Sequence, residues 1–378
     1  MRIAIDASSV PAKPAGAGVY AIELVRAMAE RDRRDGYALF ARGSTFDVDM
    51  GDKRNWKIER VSASTRPARL AWEQIQLPRA LDRLGIDVLH STHHTLPLAG
   101  VRCRRVVTIH DVTFFRIPER YPPIRRFYMQ TLTRLSACAA DAIIVPSNAA
   151  LDDVLSRLHV PAEKVVRVYE APARRFAPVP APESVPVLRE LGVDSPYVLS
   201  VGSLEPGKNR PRLIRAMRML RDQGFEQRLV VVGQKAWNLD DELALVTELN
   251  MQDRVQYLGY VGDSQLPALY SAAAAFAFPS LHEGFGLPVI EAMACGTPVL
   301  TSNISATAEV AGDAAVLVDP LSVEAIRDGL RQLLGDPALR AELSARGLGR
   351  ASEFSWGRAA DETHAVYERV VRGERASA

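Results

Sequence analysis

Two glutamates, Glu283 and Glu291, lie eight residues apart in the stretch HEGFGLPVIEAMACGTPV, residues 282–299. Carboxylates can accept hydrogen bonds from the two neighbouring hydroxyls of a ribose or another sugar. A strand-like apolar run precedes the stretch and TPVLTS follows it. Pro288 suits the first position of a helix and Gly296 the residue after its end. The stretch therefore predicts strand, turn, short helix and strand, with both glutamates at the carboxyl edge of a parallel sheet.

The same helix start offers backbone donors to a ligand. The amides of Phe285, Gly286 and Leu287 precede the predicted helix and point toward whatever binds there. Two carboxylates can also form the acid and nucleophile of a glycoside hydrolase, but these two lie on one local element instead of on facing walls. Acidic residues are also ordinary at helix starts, where they stabilise the helix dipole.

A second loop in this half of the chain suits an anion. The sequence YVLSVGSLEPGKNRPRL predicts a strand, a glycine-bearing loop and a helix that begins near Pro211. Lys208 and Asn209 stand just before that helix, where the dipole and the lysine charge both favour a phosphate. An exposed loop lysine is the alternative interpretation.

Histidines mark the first half. VVTIHDVTF places His110 at the carboxyl end of a predicted strand, where it can donate to a sugar hydroxyl or a phosphate. HSTHH contains His90, His93 and His94, which are potential zinc ligands. Because no acidic residue or cysteine follows at ligand spacing, we expect no metal there.

Two further patterns imitate known binding motifs. GAGVYA, with Gly16 and Gly18, matches the dinucleotide pattern G-x-G-x-x-A, but SSVPAKP separates it from its strand. We therefore expect a flexible loop whose backbone approaches a ligand closely. Asp47 and Asp49 could hold a divalent ion, but their polar surroundings are typical of a turn.

A basic amphipathic stretch covers residues 116–134. It favours either contact with an anionic membrane surface or an ordinary surface helix with solvated arginines. Its apolar members are Phe127, Tyr128, Leu132 and Leu135, and its arginines are Arg116, Arg120, Arg125, Arg126 and Arg134.

The elements that must position these residues alternate between strands and helices, as parallel α/β units do. The first half predicts strands at RIAIDA, YALFA, WKIERV, DVLHS, RVVTIH, AIIVP and VVRVYE, and the second half at YVLSVG, RLVVVG, VQYLG, AAFAFP, PVLTS and AVLVD.

We expect domains at 1–171 and 188–355, joined by a proline-rich linker at 172–187 that forms no helix. A last helix over 356–374, with Ala360, His364, Tyr367 and Val371 at helical spacing, could pack on either domain.

Composition argues against a nucleic-acid-binding, a disulfide-bonded or a membrane-spanning protein. The chain has 378 residues and a net charge of only +2, which gives no reason to expect nucleic-acid binding. Its three cysteines have no paired spacing, so a reducing cytoplasm is expected. We predict no signal peptide, because the N-terminal apolar run is short, is interrupted by Asp6 and is typical of a first strand. We predict no membrane span, because no apolar run reaches about 20 residues.

Taken together, these motifs resemble glycosyltransferase family 4, a large retaining family. The resemblance covers nearly the whole chain: the glycine loop after the first strand, AWEQIQLPRAL, TIHDVTFFRIPE, VLSVGSLEPGKN, HEGFGLPVIEAMACGTPVLTSN, AEVAGDAAVLVDP and FSW. It implies the α/β GT-B fold, in which two Rossmann-like domains with parallel sheets face each other across a cleft. It also implies that the last helix returns to the first domain.

The resemblance also implies roles for single residues. Glu291 would hold the ribose of a nucleotide sugar, and Glu283 would lie beside the transferred sugar. Lys208 would neutralise the leaving diphosphate and His110 would contact the donor sugar. The loop with Gly16 and Gly18 would close over the diphosphate.

This chain departs from the family at three places. Ser203, which we still expect to bind the donor, stands where many members have an arginine. Gly207 stands where relatives have an arginine before the lysine. The usual NG after the last strand of the first domain is replaced by VYEAP. If a second positive charge is needed beside Lys208, Arg210 or Arg212 could supply it.

We expect a cytoplasmic, retaining hexosyltransferase that needs no metal or other cofactor beyond its nucleotide-diphosphate sugar. The GSLEPGKN variant resembles mannosyltransferases that use GDP-mannose in lipopolysaccharide, O-antigen or other surface polysaccharide assembly. Its acceptor would be a glycan or a lipid-linked glycan, reached at the inner face of the plasma membrane through the basic stretch. A UDP-sugar such as UDP-glucose is the alternative donor. The alternative functions are an NAD-dependent oxidoreductase and a non-catalytic nucleotide-sugar-binding protein.

Overall fold

The structure is a computed structural model that describes residues 1–31, 34–44, 46, 54–63, 65–118, 121–234 and 239–374. Two compact units divide the chain. The first consists of Met1–Glu170 and Ser355–Ala378, and the second of Ala171–Phe354. Each unit is an α/β domain built around its own parallel sheet.

The first unit is built on a seven-stranded sheet. Its strands pair in the order β3-β2-β1-β4-β5-β6-β7, and every pairing is parallel. The inner strands are almost entirely buried, as expected for a parallel sheet covered by helices. The strands are β1 (Arg2–Asp6), β2 (Gly36–Ala41), β3 (Trp56–Arg60), β4 (Val88–Ser91), β5 (Arg104–Thr108), β6 (Ala142–Val145) and β7 (Val165–Arg167).

Among the described residues, five α-helices of this unit come before Glu170. They are α1 (Ala17–Arg31), α2 (Arg66–Leu84), α3 (Thr113–Arg116), α4 (Pro123–Ala139) and α5 (Asn148–Leu158). Residues from α2, α4 and α5 pack with the strands into one apolar cluster. Local sequence sets both ends of α2. The Thr65 hydroxyl caps its first turn, and Gly85 ends the helix in the left-handed region at φ 61°.

The second unit is built on a six-stranded parallel sheet in the order β10-β9-β8-β11-β12-β13. Its strands are β8 (Tyr197–Val201), β9 (Arg228–Val232), β10 (Val255–Gly259), β11 (Ala275–Phe278), β12 (Val299–Ser302) and β13 (Ala315–Val318). Its helices are α6 (Ala181–Glu190), α7 (Arg210–Asp222), α8 (Leu239–Glu248), α9 (Leu266–Ala272), α10 (Leu287–Ala294), α11 (Ser305–Ala311), α12 (Val323–Gly335) and α13 (Pro337–Ser352).

The last helix, α14 (Trp356–Arg372), belongs to the first unit. The Ser355 hydroxyl caps its start, and Tyr367 is fully buried. The Tyr367 hydroxyl lies 2.6 Å from His90 Nδ1, so the helix is tied to the end of β4.

The prediction that residues 172–187 form no helix is wrong. Helix α6 begins at Ala181, inside that stretch, and packs against α9. Pro182 lies in the first turn, where its missing N–H has no intrahelical partner in any helix. Only Pro186 removes a helical hydrogen bond, and burial of the apolar Leu188 side chain stabilises the helix against that loss.

Candidate active site

Lys208 lies at the carboxyl edge of the second unit's sheet, in a short 3-10 turn between β8 and α7. Its Nζ is 2.7 Å from Glu283 Oε1 and 3.6 Å from Glu205 Oε1. The Lys208 side chain is 13% exposed and the Glu283 side chain 15%. The Nζ also lies 5.1 Å from the centroid of the Phe278 ring. The structure thus brings two of the predicted residues, Lys208 and Glu283, into direct contact.

Electrostatics keep Lys208 charged. Burial alone would lower its pKa, but the charges of Glu283 and Glu205 and the hydrogen bond to Glu283 outweigh burial and raise the pKa. A protonated amine at this edge is a point charge suited to a phosphate.

Glycines make room for the lysine side chain. Gly202 has φ 147°, and a Cβ there would lie 3.3 Å from Lys208 Cε. A Cβ on Gly233 would lie 1.9 Å from the Gly202 carbonyl oxygen, so the two backbones approach as closely as glycine allows. These contacts fix the course of the loop after β8.

Asn209, predicted to bind the donor, has a buried side chain that is used within the protein. Its Nδ2 donates to the carbonyl oxygens of Pro279 (2.9 Å) and Pro320 (2.6 Å). Its Oδ1 accepts from Arg212 Nη1 at 2.9 Å. Asn209 therefore connects the loops that follow β8, β11 and β13, and it positions the neighbouring Lys208.

Glu283 is held from both sides. The Ser305 hydroxyl accepts from the Glu283 amide at 3.0 Å and donates to the Glu283 carbonyl oxygen at 2.7 Å. The Ser280 hydroxyl lies 2.5 Å from Glu283 Oε1. These hydrogen bonds preorganise the Glu283 carboxylate at the edge of the sheet.

The helix start predicted at 285–287 is present. Gly286 precedes α10 with φ 102°, and a Cβ there would lie 3.1 Å from Thr307 Cγ2. Phe285 and Leu287 are buried on either side of it, and no side chain caps the first turn. The geometry therefore requires glycine at the point where the chain turns into the helix.

Glu291 lies on the second turn of α10 and is 7% exposed. The Tyr270 hydroxyl donates to its Oε2 at 3.1 Å. Burial, and then the charge of Glu291, raise the pKa of Tyr270 well above its ordinary value, so the tyrosine remains a donor. Tyr270 orients Glu291. No local pattern indicates this pairing, because the two residues lie on different helices.

The candidates for a second cation differ in their surroundings. Arg210 is 1% exposed. Its Nε donates to the two carboxylate oxygens of Glu242, at 3.1 and 3.2 Å. Its Nη1 donates to the Ser203 carbonyl oxygen at 3.1 Å. This buried ion pair joins α7, α8 and the loop after β8. Arg212 is half-buried and donates to Asn209. Arg210 therefore supports the loop that carries Ser203 and does not present its charge to solvent.

In the first unit, His110 follows β5 and is half-buried. Its Nδ1 is 3.1 Å from Glu170 Oε1, and its Nε2 is 3.1 Å from the Thr92 carbonyl oxygen. The Tyr20 ring meets it edge-on, with centroids 4.7 Å apart. Glu170 lies in the VYEAP departure; its acidic side chain at the carboxyl end of β7 was the signal that sequence reasoning overlooked.

The three histidines of HSTHH contact different residues. His90 lies between Tyr367 and Thr108, whose Oγ1 is 2.7 Å from His90 Nε2, and burial lowers the pKa of His90 to about 3. His94 packs near Phe114, and burial lowers its pKa to about 4. Both histidines are therefore neutral near physiological pH.

His93 contradicts the sequence argument that no acidic partner is available. Asp6 from β1 and Glu73 from α2 approach it, and one ligand-type atom of each of the three residues lies within 4.8 Å of the others. Arg69 Nη1, however, is 2.7 Å from Glu73 Oε2 and 2.9 Å from His93 Nε2. Arg69 thus already brings a positive charge to this cluster, and the absence of a metal stays a prediction.

The structure agrees with the prediction that no tight turn follows β1, but it places Gly18 in a helix and not in a loop. Residues 7–15 separate β1 from Gly16, which has φ 49°, but Gly18 lies inside the first turn of α1. A Cβ on Gly18 would lie 3.1 Å from Pro14 Cβ, so the residue packs closely within the unit. A dinucleotide fingerprint needs a tight turn directly after the strand, and this connection is too long for one. Asp47 and Asp49 lie outside the described residues.

Helix α4 carries most of the basic amphipathic stretch. Ile124 is 86% and Phe127 72% exposed, and Leu135 is also exposed. Arg134 lies 4.5 Å from the Phe115 ring centroid, Arg125 lies 5.7 Å from the Tyr121 ring centroid, and Arg116 pairs with Asp153 at 2.7 Å. Arg126 is half-buried, and Arg120 lies outside the described residues. Along the described chain, no helix is both long enough and apolar enough to cross a membrane.

Comparison with known families and proteins places these residues in context. Residues 189–350 match the family model "Glycosyl transferases group 1", and residues 14–171 match "Glycosyltransferase Family 4". An O-antigen chain mannosyltransferase B from Escherichia coli is 32% identical over 381 residues, a match that covers 97% of this chain and 100% of that protein.

Solved structures share the fold. A sucrose-phosphate synthase from Thermosynechococcus elongatus superposes with a TM-score of 0.80 at 22% identity and covers 99% of this chain and 100% of its own. Anabaena HepE, solved in complex with UDP and glucose, gives a TM-score of 0.78 at 19% identity, with 97% and 99% covered. The two Rossmann-like units therefore form the expected GT-B fold, and neither the oxidoreductase nor the binding-protein alternative is favoured. The chain belongs to glycosyltransferase family 4, its second unit matches the group 1 glycosyltransferases, and it is a sugar-transferring enzyme.

Proposed function

We propose that this enzyme transfers mannose from GDP-mannose to a glycan or lipid-linked glycan in O-antigen or related surface polysaccharide assembly, with retention of configuration. The observation that carries the proposed chemistry is the charged, largely buried Lys208, held 2.7 Å from Glu283 at the carboxyl edge of the second sheet. The mannose assignment is supported by the E. coli O-antigen chain mannosyltransferase B that matches along its full length.

In the proposed reaction, the bond between the sugar C1 and the β-phosphate oxygen breaks, and its electron pair leaves with GDP. The acceptor hydroxyl oxygen forms the new bond to C1 from the same face, and the hydroxyl proton passes to the departing phosphate oxygen. Lys208 and the amides at the start of α10 stabilise the charge that develops on the diphosphate. Glu291, oriented by Tyr270, accepts from the ribose hydroxyls. No step requires a metal.

A donor panel tests this assignment. The enzyme is incubated with GDP-mannose, UDP-glucose or UDP-galactose and a mannose-terminated oligosaccharide, and nucleotide release and product mass are followed. We expect transfer from GDP-mannose, with an α-anomeric product by NMR. Transfer from a UDP-sugar alone would overturn the donor, and a β-anomeric product would overturn retention.

We also propose that the exposed face of α4 rests on an anionic membrane. Ile124 and Phe127 project apolar surface into solvent, and arginines flank them on the same helix. Burial of apolar area and attraction to anionic lipid headgroups would act together there. The lipid part of a lipid-linked acceptor would be embedded in the same membrane.

Flotation with liposomes tests this contact. Wild-type protein should float with vesicles rich in phosphatidylglycerol at low salt, and Phe127→Glu should remain at the bottom of the gradient. Leu321→Glu is the matched control, because Leu321 is 63% exposed and belongs to the second unit, whereas α4 belongs to the first. Equal flotation of Phe127→Glu and wild type would refute the contact.

A further inference from the structure

Both ring nitrogens of His110 face hydrogen-bond acceptors. Nε2 lies 3.1 Å from the Thr92 carbonyl oxygen, and Nδ1 lies 3.1 Å from Glu170 Oε1. A backbone carbonyl can only accept, so Nε2 must carry a hydrogen. An ionised carboxylate also only accepts, so Nδ1 must then carry one as well.

The Thr92 acceptor is held in place. The Thr92 amide and hydroxyl both donate to the Asp6 carbonyl oxygen, at 3.2 and 3.0 Å. The Thr92 carbonyl is therefore fixed toward His110.

The surroundings of His110 favour a positive charge. Glu170 faces it after β7 with a side chain only 5% exposed, and Asp111 follows it in the chain. Tyr20 of α1 meets the ring edge-on, and its raised pKa keeps it neutral. The neighbouring His90 and His94 are neutral, because burial lowers the pKa of His90 to about 3 and that of His94 to about 4.

We infer that Glu170 is a positioning residue that holds His110 as an imidazolium, so that His110 serves the transfer reaction as a fixed positive charge and not as a proton acceptor. The inference rests on the proposed function, because that function is the reason to expect His110 near the sugar donor. It assigns a role to the acidic residue in VYEAP, where the sequence departs from the family.

Titration supports this geometry. Burial alone would lower the pKa of His110, but the hydrogen bond and charge of Glu170, helped by the Thr92 carbonyl, outweigh burial and raise the pKa. Stability from this pair is therefore fully present below the ordinary histidine pKa and is lost as pH rises through the raised value.

A fixed imidazolium has chemical consequences. It has no lone pair, so it cannot take the proton of the acceptor hydroxyl. Its positive charge is complementary to an anionic group such as a phosphate.

Histidine side-chain ¹⁵N NMR tests the protonation state directly. Spectra of wild type and His110→Gln assign the His110 signal. At about pH 7.5 we expect both His110 nitrogens of wild type to be protonated, and in Glu170→Gln we expect a neutral ring with hydrogen on Nε2 alone. Glu30→Gln, which removes an exposed glutamate of the same unit, should resemble wild type. A neutral His110 in wild type at that pH would overturn the inference, whatever the variants do.

Activity against pH separates positioning from mere structural support. In Glu170→Gln, transfer should fall about tenfold for each pH unit above the lowered His110 pKa and recover at acid pH. A loss that is equal at all pH values would assign Glu170 a structural role only. If wild type transferred no sugar from any donor, the proposed function would fail, and the NMR result would still decide the state of His110.

Discussion

At the residue scale, the two sheets present different chemistry at their carboxyl edges. Lys208 and Glu283 form a charged pair in the second unit, and His110 and Glu170 form one in the first. In both pairs a carboxylate raises the pKa of a cation against the effect of burial. A cation kept charged in this way is ready for a negatively charged substrate without rearrangement.

Replacing Lys208 should separate catalysis from folding. We expect Lys208→Ala to lower turnover by roughly 10²-fold or more, because the departing diphosphate loses its point charge. Initial rates of nucleotide release from the preferred donor measure the effect. Lys57→Ala, which removes an exposed lysine of the first unit, should leave the rate unchanged. Full activity in Lys208→Ala would remove the lysine from the mechanism.

Sequence reasoning found the charged groups but not their partners. Lys208, Glu283, Glu291 and His110 stood out because each follows a predicted strand or begins a helix. Tyr270 and Glu170 lie far from them in sequence, and only the fold brings them within hydrogen-bonding distance. The same limit explains His93, whose acidic neighbours come from β1 and α2.

At the element scale, strands were predictable because a buried parallel strand is a short apolar run between polar turns. All thirteen predicted strands are present in the two sheets. Helix α6 was not predicted because the number of prolines was considered and their positions within the helix were not. Prolines in the first turn cost a helix little, and packing against α9 supplied what the local sequence did not reveal.

Gly202, in the loop after β8, lies very close to Gly233, which follows β9, and we expect this close approach to affect stability. Gly233→Ala should destabilise the protein by about 1–3 kcal/mol, because its Cβ would overlap the Gly202 carbonyl and force the backbone apart. Urea denaturation measures the change.

Gly349→Ala is the matched control for this substitution. Gly349 lies inside α13 with nothing within 4 Å of an added Cβ, so this variant should be unchanged or up to about 1 kcal/mol more stable. If Gly233→Ala were as stable as Gly349→Ala, the close approach would not constrain the loop.

At the scale of the whole molecule, the chain returns to its first unit at the end. Helix α14 begins after the second unit closes at Phe354 and buries Trp356 and Tyr367 in the first unit. Helical spacing predicted this helix, but no local pattern could say where it packs. The return to the first domain came only from the family resemblance.

The central claim is that the second unit binds a nucleoside diphosphate through Glu291 and Lys208. Thermal unfolding of wild type and Glu291→Ala with GDP, UDP, ADP or NADH tests it most directly. A ligand at about 100 times its dissociation constant adds about 2.7 kcal/mol to stability. We predict stabilisation by GDP that Glu291→Ala removes or greatly weakens. Stabilisation by NADH alone, or by none of the four ligands, would contradict the account.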